Sequence, residues 1–282
     1  MIDIDDIQLA KIIDIEYVNE LIYFINESQS STRTPKYTSK YYLYHILLVL
    51  TDLQKWKSLN LLFDNRNKFH FKTIQDKHLE WSKLNIYEDA YRSLLNKYKG
   101  INFKKSANLV LFIDSTVIYN KNGVELIGYG QNPKKKETKV SAICDKNKNI
   151  HSIIVTNVNH KTTTKNTLID DAHTVEANLD NLFQHKINAK KIKLVGDKGY
   201  ARKSKDKDEI KDKYNTELLY PHRKNQKIKT PKETKILLKN RYVIENVFAK
   251  LKKFDRICMR KDRLVTTFKG FLFLASILIF KK

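Results

Sequence analysis

The chain has 282 residues, of which 41% are hydrophobic and 30% charged, with a formal net charge of +23. That balance suits a globular protein rather than a disordered one, and the length leaves room for one large domain or two ordinary ones. The charge is uneven: residues 1–100 carry 14 Lys and Arg against 13 Asp and Glu, and the remainder carries 40 against 18, so the basic excess calls for a polyanionic partner, nucleic acid first.

Two cysteines, Cys144 and Cys258, offer neither zinc-ligand spacing nor a disulfide framework, which suits a reducing compartment. The start Ile2-Asp3-Ile4-Asp5-Asp6 is acidic and unlike a secretory signal or transit peptide. The most apolar run, Phe271 to Phe280, is about half the length a membrane span needs and reads as a buried helix.

In chain order, residues 1–30 read as a short helix, and Ser28 to Ser39 as a polar connector. Tyr41 to Phe63 is a strongly apolar helical segment with a break expected near Thr51-Asp52. Lys72 to Leu84 and Tyr87 to Tyr98 are two further helices separated near Asn85. These helices, with Trp81-Ser82-Lys83 as a turn, fit either a DNA-reading helix-turn-helix or a small helical packing domain.

After Gly100 the period changes. Leu109 to Ile118 is an apolar strand interrupted only at Asp114-Ser115-Thr116. Val140 to Cys144 and Ile150 to Val158 are further strands, joined by a turn over Asp145 to Asn149. Thr167 to Phe183 reads as helix, Lys191 to Val195 as a strand, and Gly196-Asp197-Lys198-Gly199-Tyr200 as a tight turn. Arg202 to Lys213 reads as helix, Glu217 to Tyr220 as a strand, and Pro221 to Lys235 as a basic loop. Arg241 to Phe254 has no Gly or Pro and is an amphipathic helix. Its apolar stripe is Val243, Val247, Leu251 and Phe254, while Arg241, Glu245 and Lys252 lie opposite. The order of strands and helices is that of an α/β RNase H-like domain, a mixed five-stranded sheet flanked by helices. The expected division is an all-α N-terminal domain over 1–100 and the α/β domain over 101–282.

Three acids stand out. Asp114 interrupts a central apolar strand, where an unpaired charge is costly; Asp197 follows a second strand; Glu245 sits on the polar face of a helix. Taken singly, Asp197 is an ordinary turn residue and Glu245 an ordinary surface acid beside Arg241. Together they suit a site that holds two divalent ions about 3.5–4 Å apart across a phosphodiester, because Mg²⁺ prefers carboxylate and water oxygens.

Four blocks in this order resemble the DDE transposases of bacterial insertion sequences. They are Phe112-Ile113-Asp114-Ser115-Thr116, the basic segment Gly130 to Lys136 with Thr138-Lys139, the turn Gly196 to Tyr200, and the helix Arg241-x3-Glu245-x6-Lys252. The tail Phe268 to Ala275 and the helices of residues 41–98 also resemble that family, so the likeness covers nearly the whole chain. One departure is Leu238, where the family usually has Tyr three positions before the Arg. The resemblance implies an RNase H-like catalytic core with Asp114, Asp197 and Glu245 as catalytic metal ligands for two Mg²⁺ ions, with Mn²⁺ substituting. It implies Arg241, Lys252, Lys136 and Lys139 as contacts to DNA phosphates. It further implies cleavage at transposon ends, strand transfer into target DNA, a homodimer or higher assembly on DNA, no membrane association, and a cytoplasmic or nucleoid location in a bacterium. The competing expectations are a catalytically silent DNA-binding descendant and an RNase H-like nuclease. His160, Asp170 and Asp171 read as surface or capping residues.

Overall fold

The computed structural model describes residues 4, 6–28, 37–62, 70–99, 108–129, 135–158, 174–184, 191–201, 204–222 and 230–280. The chain forms two compact units, one of residues 1–100 with 251–282 and one of residues 101–250.

The first unit begins with α1 (Asp6–Ala10), α2 (Ile15–Glu27), α3 (Ser39–Leu50), a 3-10 turn (Lys57–Leu62), α4 (Phe71–Lys83) and α5 (Ile86–Lys99). The expected N-terminal helix is thus two helices. Asp14 caps the second of them, its Oδ1 accepting from the Glu16 N–H at 2.9 Å. The break after α3 falls where Asp52 takes φ 60°, and the break between α4 and α5 where Asn85 takes φ 56°. Both are residue types that tolerate the left-handed region, which is why these two stops were readable. Trp81-Ser82-Lys83 is the last turn of α4 rather than an interhelical turn, and Trp81 is fully buried. Its apolar surface belongs to the core, while Lys83 is exposed.

The second unit is built on β1 (Asn108–Asn120), β2 (Gly128–Tyr129), β3 (Lys136–Asp145), β4 (Ile150–Asn157), β5 (Lys191–Val195) and β6 (Thr216–Leu219). Between them come α6 (Thr174–Gln184), a 3-10 turn (Lys198–Tyr200) and α7 (Ser204–Tyr214), followed by α8 (Lys232–Lys239) and α9 (Tyr242–Leu251). The ladder runs β4-β3-β1-β5-β6, with the two-residue β2 lying beside the start of β3. β1, β3 and β4 form an antiparallel meander, while β5 and β6 run parallel to β1. This mixed order is the RNase H-like α/β arrangement expected from the sequence.

β1 is a continuous strand: Asp114 pairs with Ala142 and Ser115 with Ser141, so the polar residues do not interrupt the ladder. Its backbone hydrogen bonds are independent of side-chain polarity, and only the burial pattern changes there. Alternation sends Leu111, Ile113 and Ser115 to one face and Phe112 and Asp114 to the other. Leu111 and Ile113 share a core with Ile143, Leu194, Val175, Leu179 and Leu182, so α6 and α7 cover that face. A polar link reinforces it. Buried Asn178 donates to Ser141 Oγ at 2.9 Å and accepts from Ser152 Oγ at 2.8 Å, leaving little of its amide unsatisfied.

α8 corrects the expected basic loop. It starts after Pro231 with residues that include good helix formers, and Thr234 is its buried position. α9 is shorter than expected, ending at Leu251, and buries Val243, Ile244, Val247 and Phe248. The part of the expected sixth-helix region before Thr174 lies outside the described residues, as do His160, Asp170, Asp171 and residues 130–134.

The chain then continues into α10 (Asp255–Cys258), a two-residue strand β7 (Met259–Arg260) and α11 (Val265–Ile279) in the first unit. α11 packs on α4 and α5 and is buried nearly all round, from Phe268 to Ile277. Gly270 is where α11 meets α4: a Cβ there would collide with the Ser82 hydroxyl and stand 3.2 Å from the His78 ring. His78 is itself fully enclosed, with Nε2 3.1 Å from the Thr267 carbonyl oxygen and Nδ1 3.0 Å from the Tyr87 hydroxyl. A carbonyl only accepts, so Nε2 carries the proton and the neutral ring accepts from Tyr87. Among the described residues no helix is long and apolar enough to cross a membrane.

Candidate active site

β1 and β5 are adjacent and parallel, pairing Asn108 with Lys191 through Phe112 with Val195. Extending that register by two residues sets Asp197 opposite Asp114. Residues at the same level of neighbouring strands point to the same face. The two acids therefore share the face opposite α6 and α7. Asp197 sits just past the end of its strand, where the chain is free to turn.

Each aspartate has one oxygen held by local backbone. Asp114 Oδ1 accepts from the Ser115 N–H at 2.9 Å, and Asp197 Oδ1 accepts from the Gly199 N–H at 2.7 Å. The second oxygen of Asp114 accepts from Arg241 Nη1 at 2.8 Å. The other terminal nitrogen of that guanidinium, Nη2, reaches Glu245 Oε1 at 2.6 Å. Arg241 thus bridges the β1 acid and the α9 acid, using the i, i+4 spacing of a helix end to reach Glu245. The fork geometry of a guanidinium makes this double contact possible.

Burial raises the Asp114 pKa above the ordinary carboxylate value, and the neighbouring Asp197 charge adds to the rise. The Ser115 N–H and Arg241 act in the opposite direction without cancelling it. An acid destabilised by both burial and a like charge is the environment in which a cation is taken up. Among the described residues no three His, Cys, Asp or Glu side chains converge closely enough to form a ready ligand set. The donor chemistry nevertheless fits a hard divalent ion: carboxylate oxygens from Asp114, Asp197 and Glu245, with no soft ligand among them. Arg241 and such an ion would compete for the same carboxylates.

The expected lysines fall in different places. Lys136 is exposed and pairs with Tyr129 at the far end of β3, on the face that carries Asp114 by alternation. Lys139 pairs with Val117 and belongs to the opposite face. Lys252 lies in the turn after α9, not on the helix with Glu245, just as Arg241 lies in the turn immediately before it, and burial lowers the Lys252 pKa. Leu238, at the position of the family's Tyr, is in α8.

Two residues that sequence reading passed over complete the surroundings. Tyr200 is fully buried, and its hydroxyl lies 3.0 Å from Ser115 Oγ. Its ring covers Gly196 so closely that a Cβ there would stand 2.7 Å from Tyr200 Cδ2. The glycine before Asp197 is therefore needed for packing. The one available signal was the pair of hydroxyl residues within the two Asp blocks, and nothing local shows that they meet.

Residues 105–278 match the family model of the transposase DDE domain. No curated protein matches the chain. Among solved structures it is similar to a piggyBac transposase synaptic complex with hairpin DNA, at 13% identity and TM-score 0.38, covering 75% of this chain and 49% of that one. The chain thus spans about half the length of that relative. It is also similar to the catalytic domain of Mos1 mariner transposase, at 12% identity and TM-score 0.27, covering 64% of this chain and 92% of that one. The Mos1 strand transfer complex shows 13% identity and TM-score 0.27, with 82% of this chain and 80% of that one covered. These likenesses are too low to weigh, and the family match does not depend on them. Because that match takes in more than half of the sequence, including all three acids and Arg241, the chain belongs to the transposase DDE-domain family.

Proposed function

We propose that the protein is a DNA transposase that cleaves at transposon ends and transfers the freed 3′ ends into target DNA. The observation that carries this reading is the position of Asp114 beside Asp197, with Glu245 tied to Asp114 through Arg241. Asp114, Asp197 and Glu245 are the catalytic carboxylates and would hold two Mg²⁺ ions, or Mn²⁺ in their place. When bound, such ions supply the acidity that turns water or a 3′-hydroxyl into a nucleophile and stabilise the leaving oxygen. The backbone N–H groups of Ser115 and Gly199 hold one oxygen of each aspartate, which fixes the orientation in which the carboxylates would hold the ions. In the first step water attacks the terminal phosphodiester, the P–O3′ bond breaks, and a 3′-hydroxyl is released. In the second step that hydroxyl attacks a target phosphate and displaces another 3′-oxygen.

Arg241, on leaving the carboxylates, is placed to take a DNA phosphate as a bidentate partner. Lys252, Lys136 and Lys139 are the remaining candidate phosphate contacts. Of these, Lys136 shares a sheet face with Asp114, which favours it over Lys139. Work on two transposon ends calls for a homodimer or larger assembly on DNA, and the site of action would be the cytoplasm or nucleoid of a bacterial host.

The test is incubation of the full chain with DNA carrying the gene's own flanking ends, in Mg²⁺ or Mn²⁺, beside Glu245→Gln. The expected result is end cleavage and joining by the unaltered protein and neither by the variant. DNA binding without cleavage by the unaltered protein would identify a silent DNA-binding descendant. Cleavage without any joining would identify a nuclease.

A further inference from the structure

We infer that Tyr200, acting through Ser115, is a positioning residue that sets the separation of Asp114 and Asp197. The inference rests on the reading of these two aspartates as metal ligands and concerns how the protein keeps them in register.

The ladder between β1 and β5 ends at Phe112 and Val195, two residues short of both acids. The β1–β5 ladder therefore does not itself reach the acids, although on the other side the Gly196 N–H still donates to the Leu219 carbonyl of β6 at 2.9 Å. Past Val195 the chain enters the turn of Gly196 to Tyr200, which could tilt away from β1. The hydroxyl contact between Ser115 and Tyr200 spans that gap at 3.0 Å. It joins the residue after Asp114 to the residue that closes the Asp197 turn.

Both ends of this link lead directly to a carboxylate. On one side the Ser115 N–H holds Asp114 Oδ1. On the other, the Tyr200 N–H donates to the Asp197 carbonyl at 3.2 Å, while Gly199 N–H holds Asp197 Oδ1. The Tyr200 ring is packed in the core with Leu111, Ile113 and Leu194 and lies against Gly196. By strand alternation Ser115 faces the helix side of the sheet and Asp114 the other side. The brace thus lies on the helix side of the sheet, with Tyr200 buried and Ser115 half-buried, and acts on geometry. Partners of this kind around a metal ligand change metal affinity or activity by about 10- to 100-fold.

The experiment uses the full chain as unaltered protein, Tyr200→Phe, Ser115→Ala and the double variant, with Ile210→Val as a control that thins the same core. Mn²⁺ binding is followed by loss of the free-ion electron paramagnetic resonance signal, and cleavage of end DNA is measured across Mn²⁺ concentrations. Each single variant is expected to raise the Mn²⁺ concentration for half-saturation about tenfold. The double variant is expected to be no worse than either single one, because they break the same link. At saturating Mn²⁺ the cleavage rate should return close to that of the unaltered protein, and Ile210→Val should leave half-saturation unmoved. Unchanged half-saturation in the single variants, additive losses in the double one, or an equal shift in Ile210→Val would each overturn the inference. An Asp197→Asn variant that takes up Mn²⁺ as well as the unaltered protein would sink the metal-ligand reading itself, whatever the brace variants do.

Discussion

Arg241 Nη1 lies 2.8 Å from Asp114 Oδ2, an ion pair between residues 127 positions apart in the sequence. The same guanidinium holds Glu245, so one cation partly neutralises two of the three acids. This gives Arg241 a task within the protein in addition to any contact with DNA.

That double contact predicts a specific order among substitutions. Arg241→Ala should lower stability by about 1 kcal/mol, since the pairs are partly exposed and screened. Arg241→Lys should recover only part of the loss, because a single ammonium cannot reproduce the fork. Urea unfolding at low and high salt tests this. Equal stability of Lys and Arg at position 241 would show that charge alone suffices.

Asp114 makes the opposite prediction for its own substitution. Its folded pKa is raised by burial, with Asp197 adding to the rise, so the native state holds its proton more tightly than the unfolded chain does. Native stability is then fully present below the unfolded carboxylate value and is lost as pH rises through the folded one. Asp114→Asn should accordingly melt at a higher temperature at pH 7 while losing cleavage, and the gain should shrink as the pH falls toward the unfolded value. Thermal melts across pH 3 to 8, buffered in roughly one-unit steps, would show whether the gain has this dependence.

His78 supplies a pH dependence of the other sign. Burial lowers its pKa from 6.5 to about 3 in the folded chain, with nearby Arg256 acting in the same direction. The unfolded state then binds the extra proton between those two values. Its contribution to stability is present above 6.5 and is lost as pH falls toward 3, at up to about 1.4 kcal/mol per pH unit. Nitrogen chemical shifts should report a neutral ring protonated at Nε2 at pH 5. A charged ring at that pH would contradict the enclosed geometry.

Gly270→Ala tests the approach of α11 to α4. Helix propensity alone would make it stabilising by about 1 kcal/mol. The collision with the Ser82 hydroxyl predicts instead a loss of about 1–3 kcal/mol. Adding Ser82→Ala should return part of that loss, as measured by thermal unfolding of the single and double variants.

Several parts of the fold were legible because their causes are local. The stops at Asp52 and Asn85 follow from residues that accept positive φ, and the apolar runs of β1 and β5 needed no partner to be recognised. α8 was missed because a lysine-rich stretch after a proline satisfies a loop pattern as well as a helix pattern. Lys252 was misplaced on α9 because helical spacing continues on paper past the residue where the chain turns. The contacts of α11 with α4 and α5 likewise depend on partners nearly two hundred residues away, although its apolar character was plain.

The sequence by itself determined the alternation of strands and helices, the basic excess after residue 100, and three acids spaced as in a transposase DDE domain. It did so because periodicity, turn chemistry and motif spacing are properties of neighbouring residues. Only the tertiary structure decided that β1 and β5 pair in parallel up to two residues before Asp114 and Asp197, that Arg241 joins Asp114 to Glu245, and that Ser115 meets Tyr200. Those relations depend on strand register and on side-chain reach between segments 83 to 127 residues apart. Neither quantity exists until the sheet has closed.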